Sequence, residues 1–218
     1  MERTIELVKK LEEIGETSFD RRWPNYVKRL NLKKKDSKIL IEIISSSNLS
    51  LITDGALKEQ FAPMHAWRAL GQLQAKDTIK TLLAALIDLK NEEAFWFRIE
   101  LPKVMKLIGN ESIKPLTVFL KNNKNRWDDK LIVVKGLIEI AIQYPESKNS
   151  IETIINALLK KYKSNDFSFN ACLLNEFFKL KPYKNELIKE IINQDQFDYD
   201  FINREELNKF IVKAKMYT

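Results

Sequence analysis

Two stretches of this chain echo each other at a fixed spacing. Trp67-Arg68-Ala69-Leu70-Gly71-Gln72-Leu73 is followed by Ile79-Lys80-Thr81-Leu82. Leu101-Pro102-Lys103-Val104-Met105-Lys106-Leu107 is followed by Ile113-Lys114-Pro115-Leu116. The copies register without a gap at 34 residues, from Ile79 to Ile113. A period of that length is a helix pair with its turns, and such a unit cannot bury its apolar face alone. Neighbouring pairs must stack and cover one another, which leaves a helical solenoid as the expected architecture.

The rest of the chain keeps the rhythm. Ile39, Leu40, Ile43 and Ile44 make one stripe at helical spacing, and Leu82, Leu83, Leu86 and Ile87 another. Ile151, Ile154, Ile155, Leu158 and Leu159 make a third, and Leu187, Ile188, Ile191 and Ile192 a fourth. Each forms one broad buried face at 3.6 residues per turn. Turn-forming runs separate them, such as Lys35-Asp36-Ser37, Gly109-Asn110-Glu111-Ser112 and Tyr144-Pro145-Glu146-Ser147. The spacing predicts pairs over 18–47, 60–89, 92–121, 127–162 and 167–193. A leading helix is expected at 2–14 and a closing one at 203–215. The longest irregular stretch, Ser45 to Glu59, is read as a functional loop. No linker composition divides the chain, so one domain over 1–218 is expected. The fold class expected is all-α, an α-solenoid of about five HEAT-like antiparallel pairs forming a curved superhelix.

Composition narrows the chemistry. The net charge of +7 comes from 37 basic and 30 acidic residues, with the signs interspersed. Lysines number 29 and arginines 8. Arginine is the residue suited to bidentate phosphate and base recognition, so the charge permits an acidic partner without demanding nucleic acid. One cysteine, Cys172, excludes an intrachain disulfide and fits a reducing compartment. In its apolar setting it is read as a buried small hydrophobe. With one Cys and one His, no zinc site of ordinary spacing can be assembled, and no metal or cofactor is expected. The N-terminus mixes charges at once, unlike a secretory signal, and no window has 18 uncharged apolar residues. A cytoplasmic location is expected.

Trp23-Pro24-Asn25-Tyr26, the run from Ala62 to Leu73, Glu100-Leu101-Pro102 and Ile108-Gly109 resemble a family of bacterial HEAT-like repeat proteins of unknown function. The resemblance runs from about residue 18 to residue 200, and its most specific part is Pro63-Met64-His65-Ala66-Trp67-Arg68-Ala69-Leu70-Gly71. It implies the fold and supplies no activity or catalytic residues. Some members of that family carry a Cys/His metal-binding tail, and this chain has none.

Every tempting residue has a structural reading beside the functional one. His65 rules out any arrangement needing two histidines, and a pairing with Cys172 would span about three repeats. A packing or capping role is expected for it. Trp67 aligns with Leu101, so it belongs to the core. Arg68 then points elsewhere and can bridge to an acidic residue of the next pair. Arg68, Arg98, Trp96 and Trp127 are nevertheless candidate binding residues, because an aromatic beside a guanidinium is a common anchor. Lys80 and Lys114 join them, occupying equivalent places in the echoed copies and so expected on one ridge. Lys33-Lys34-Lys35 and Lys160-Lys161 sit at helix ends, where lysine suits the helix dipole. No Gly-rich phosphate loop or nucleophile elbow is present.

The function expected is a non-catalytic scaffold that binds a protein or peptide on the concave face of the solenoid. The alternative is a nucleic-acid-binding protein resembling the HEAT-like glycosylases that remove alkylated purines. Its local support is Trp127-Asp128-Asp129, where two carboxylates at a helix start also satisfy the dipole. A bilin-lyase-like helper is a third class that nothing in the chain favours.

Overall fold

The computed structural model describes residues 2–15, 22–52, 57–89 and 95–216. Most of these residues are helical, with no strand among the described residues. The helices are α1 (Glu2–Glu12), α2 (Tyr26–Arg29), α3 (Ser37–Ser46), α4 (Ala62–Gln72), α5 (Ile79–Asp88) and α6 (Phe95–Ile108). They continue as α7 (Ile113–Lys121), α8 (Trp127–Gln143), α9 (Lys148–Leu159), α10 (Phe167–Phe178), α11 (Glu186–Asn193) and α12 (Arg204–Lys215). The chain groups into two compact units, 1–116 and 117–218.

Within each unit, alternate helices touch. In the first, α2 meets α4 and α4 meets α6, while α3 meets α5. In the second, α8 meets α10 and α10 meets α12, while α9 meets α11.

Helix α4 is the hub of its unit, packing on α1, α2, α3 and α6. Residues Ala62 through Gly71 are all buried. A helix buried on every side needs small residues where neighbours approach closely, and Gly71 is one. A Cβ there would lie 3.2 Å from Leu107 Cδ1 and 3.4 Å from Val104 Cα of α6.

A polar residue recurs at the entrance to the second helices. Short 3₁₀ turns over Lys34–Asp36, Lys76–Thr78, Gly109–Ser112 and Pro145–Ser147 lead into α3, α5, α7 and α9. Each ends in a small buried polar residue: Asp36, Thr78, Ser112 and Ser147. Buried polar groups need partners. Thr78 Oγ1 donates to the Ala75 carbonyl at 2.6 Å, and Asp36 accepts from the Lys33 amide at 2.8 Å. Elsewhere, Asn25, Asp166, Asn185 and Asn203 cap α2, α10, α11 and α12 with their side chains.

The structure departs from expectation near the N-terminus. Residues 22–25 are not helical, and α2 is only four residues long. Pro24 is the cause, because the residue before a proline is pushed out of the helical region. The stretch expected to be irregular also differs. The described part of 45–59 holds a 3₁₀ turn at Leu49–Leu51 and the start of another, Lys58–Phe61, and Leu49 and Ile52 are buried. Those residues anchor the segment to the core. The Thr53-Asp54-Gly55 part lies outside the described residues. No described helix is long and apolar enough to cross a membrane.

Candidate functional site

A polar chain runs through the interior of the first unit. Its centre is Arg68, fully buried on α4, paired with Glu100 on α6. Arg68 Nε donates to Glu100 Oε2 at 2.7 Å, and Arg68 Nη2 donates to Glu100 Oε1. This is a two-point fork, the strong form of a guanidinium–carboxylate pair. Trp67 Nε1 donates to the same Glu100 Oε2 at 2.8 Å. Burial works against the Arg68 charge. The Glu100 hydrogen bonds and charge, with the Tyr26 oxygen, outweigh it and hold the guanidinium pKa above its usual value.

The chain continues through Tyr26 and His65. Tyr26 Oη lies 2.7 Å from His65 Nδ1, and His65 Nε2 lies 2.7 Å from the Gly15 carbonyl. A carbonyl only accepts, so Nε2 carries the proton and Nδ1 accepts from the Tyr26 hydroxyl. Burial first, and then the charges of Arg68 and Arg29, lower the His65 pKa to about 4; the Gly15 hydrogen bond only partly opposes them. The imidazole is therefore neutral near pH 7, with both nitrogens engaged.

Trp23 connects this interior to the surface. The Arg68 guanidinium carbon lies 5.2 Å from the Trp23 ring centroid, and Lys103 Nζ lies 4.2 Å from it. These are cation–π distances. The Trp23 Nε1 proton is buried and has no acceptor. Trp23 lines an open cleft of about 700 Å³. Arg22 and Lys28 supply charge at this cleft, and Val27 and Leu107 supply apolar wall. The backbone beneath is pinned by one side chain. Gln72 Nε2 donates to the Pro24 carbonyl at 2.8 Å, and Gln72 Oε1 accepts from the Tyr26 amide at 2.8 Å.

The sequence-derived candidates separate by burial. Arg68, Trp96 and Arg98 are 0%, 6% and 8% exposed, so they belong to the interior and present no surface to a partner. Arg68 forms the expected bridge to the next pair. Lys80, Lys114 and Trp127 are exposed. Trp127 contacts Phe169, with centroids 6.1 Å apart. Asp129 is buried and accepts from Arg126 Nε at 2.8 Å and Nη2 at 3.0 Å. Cys172 is only partly buried on α10, less than its apolar neighbours suggest, and burial raises its thiol pKa. Among the described residues, no group of three or more His, Cys, Asp or Glu side chains could hold a metal ion.

Trp23, Lys103 and the cleft were not among the sequence candidates. Trp-Pro-Asn-Tyr is visible as a motif, but the cleft is completed by Gln72 and Leu107, remote in sequence. Comparison of the chain with protein-family models, curated proteins and solved structures finds no match.

Proposed function

We propose that this chain is a non-catalytic binding module, a HEAT-like helical-repeat scaffold that holds a peptide or an extended segment of another protein. The reading rests on where the ionisable groups are spent. Both nitrogens of the single histidine, the Glu100 carboxylate and the Arg68 fork are consumed by one internal network. Such a network fixes the packing of α4 on α6 and leaves a rigid surface around it. The 34-residue echo, the layered contacts and the recurring buried polar residue support the repeat arrangement. The resemblance to bacterial HEAT-like proteins points the same way. Asp129 gives the glycosylase-like reading little support, because its carboxylate is buried against Arg126.

The test is a selection from a displayed peptide library on the immobilised full chain. Enriched peptides are titrated and recovered for mass analysis, beside duplex DNA titrated at two salt concentrations. The expected result is enrichment of a related set of peptides, saturable binding and unchanged peptide mass. DNA binding that weakens steeply with salt, with no peptide enriched, would establish the nucleic-acid reading instead.

A further inference from the structure

We infer that the turn after α11, residues 195–201, forms with the start of α10 a docking surface for a basic peptide segment, whose arginines lie on Phe167, Tyr199 and Phe201 and pair with the carboxylates beside them. The inference rests on the binding-module reading and names a site and a ligand chemistry for it. Three observations carry it.

The first is exposed aromatic surface. Phe167, Tyr199 and Phe201 are 47%, 48% and 50% exposed. Their backbones are tied together. The Asp198 amide donates to the Phe167 carbonyl at 3.1 Å, and the Phe201 amide donates to the Asp198 carbonyl at 3.2 Å. One half-exposed ring on a surface is ordinary, but three held by one short turn make an apolar patch with polar residues between.

The second is charge. From Glu190 to Asn203 the chain has four carboxylates and no lysine or arginine, although its net charge is +7. Asp166, exposed at the N-cap of α10, adds a fifth carboxylate beside Phe167. The Asp195 hydrogen bond, then burial and the Asp195 charge, hold the Tyr199 pKa above its usual value, and Arg204 only partly opposes them. Burial raises the Cys172 pKa on α10; Lys135 opposes it, and Glu176, Asp198 and Asp166 add to it. Carboxylates thus outnumber cations around this turn, and such a surface attracts a basic segment.

The third is a rigid frame with a free carboxylate. Ser168 Oγ donates to Asp198 Oδ2 at 3.0 Å, Asn175 Nδ2 to the Phe201 carbonyl at 2.7 Å, and the Asn203 amide to Asn175 Oδ1 at 2.8 Å. The turn is therefore pinned to α10 at both ends, and a surface already ordered costs less to bind. Tyr199 Oη donates to Asp195 Oδ1 at 2.6 Å, and the Asp200 amide to Asp198 Oδ1 at 2.9 Å, so those two carboxylates are partly engaged. Asp200 is exposed, and its carboxylate has no hydrogen-bond or ion-pair partner among the described residues. It stands between Tyr199 and Phe201 in the chain. A guanidinium is planar, stacks on an aromatic face and forks onto a carboxylate, which an ammonium does not. Alternating rings and carboxylates therefore favour arginine over lysine.

The test follows the backbone amide signals of residues 195–203 by NMR in the full-length ¹⁵N-labelled protein. The probes are capped hexaarginine, capped hexalysine and capped hexaglutamine. Hexaarginine is expected to move the amides of 198–201 saturably, hexalysine to bind at least about threefold more weakly, and hexaglutamine to leave them still. Asp200→Asn and Phe201→Ala, both at exposed positions, are each expected to weaken hexaarginine about threefold. Glu42→Gln, which removes an exposed carboxylate from α3, is expected to leave its affinity unchanged. Amides that ignore hexaarginine overturn the inference, as does hexalysine binding equally well or full affinity in either patch variant. Movement of these amides on raising the protein concentration alone would assign the face to a second copy of the chain, and overturns it too. Peptides that enrich in the library selection but leave these amides unmoved would sink this site while sparing the binding-module reading.

Discussion

His65 shows how one buried residue makes stability depend on pH. Its imidazole is fully buried and neutral, with a pKa lowered from 6.5 to about 4. Above pH 6.5 neither the folded nor the unfolded chain carries this proton. Between pH 6.5 and about 4 the unfolded chain takes up a proton that the folded chain refuses, so stability falls as pH falls. The loss from this residue amounts to about 3 kcal/mol by pH 4. Urea midpoints from pH 7 to 4 should decline in the native chain and decline less in His65→Gln. Because His65 is the only histidine, its ring proton signals also report the titration directly. A midpoint near 6.5 in the folded protein would refute the buried assignment. Arg68 and Glu100 form the second dependence. Removing one partner strands a buried charge, so Arg68→Ala should cost about 3–5 kcal/mol. Arg68→Met combined with Glu100→Met should cost less than the sum of the single changes. The expected coupling is about 2 kcal/mol, read from a double-mutant cycle in urea, and additive costs would mean the pair is not a unit.

Helix ends carry the next level of specification. Asn31, Gln74, Gly109 and Lys181 follow α2, α4, α6 and α10, all in the left-handed region with φ of +48°, +50°, +80° and +57°. At Gln74 the reversal is locked by the Ala75 amide on the Leu70 carbonyl at 3.2 Å and the Gln74 amide on Gly71 at 3.0 Å. This is the paired bonding of a Schellman end, where glycine is favoured. A side chain there costs roughly 1 kcal/mol. Gln74→Gly should therefore raise the unfolding free energy read from urea titration by up to that amount, and Gly109→Ala should lower it. Opposite signs would mean that side-chain contacts, and not backbone conformation, set these ends. The helices were legible in the sequence because Leu and Ile fall at threes and fours between turn residues. The interior role of Trp67 was legible from its alignment with Leu101, and the Arg68 bridge from the same register. Arg98 and Trp96 were set beside Arg68 as surface candidates because each pairs an aromatic with a guanidinium, yet that pattern does not tell a polar residue at a buried helix contact from one facing solvent. The shortening of α2 was written in Trp23-Pro24, but the surrounding apolar rhythm masked it. The recurring Asp36, Thr78, Ser112 and Ser147 went unseen because their identities differ and only their burial is shared.

The histidine network and the cysteine fall in different parts of the molecule, and this allows its two units to be watched separately. Gly15, Tyr26, His65, Trp67, Arg68 and Glu100 all fall within residues 1–116, and the single histidine falls there too. The single cysteine, Cys172, falls within 117–218. Each unit thus carries one natural reporter: the His65 ring signals for the first and the Cys172 thiol for the second. Burial raises the Cys172 pKa, so it should react slowly with a thiol reagent until its surroundings open. In the repeat arrangement we propose, stability is nearly a sum of local terms, each felt mainly by its neighbours. Arg68→Ala removes interactions wholly inside the first unit. It should lower the urea midpoint reported by His65 more than the midpoint for Cys172 labelling. Equal shifts at both reporters would show that the whole chain unfolds as a single cooperative block, and would count against additive repeat energetics.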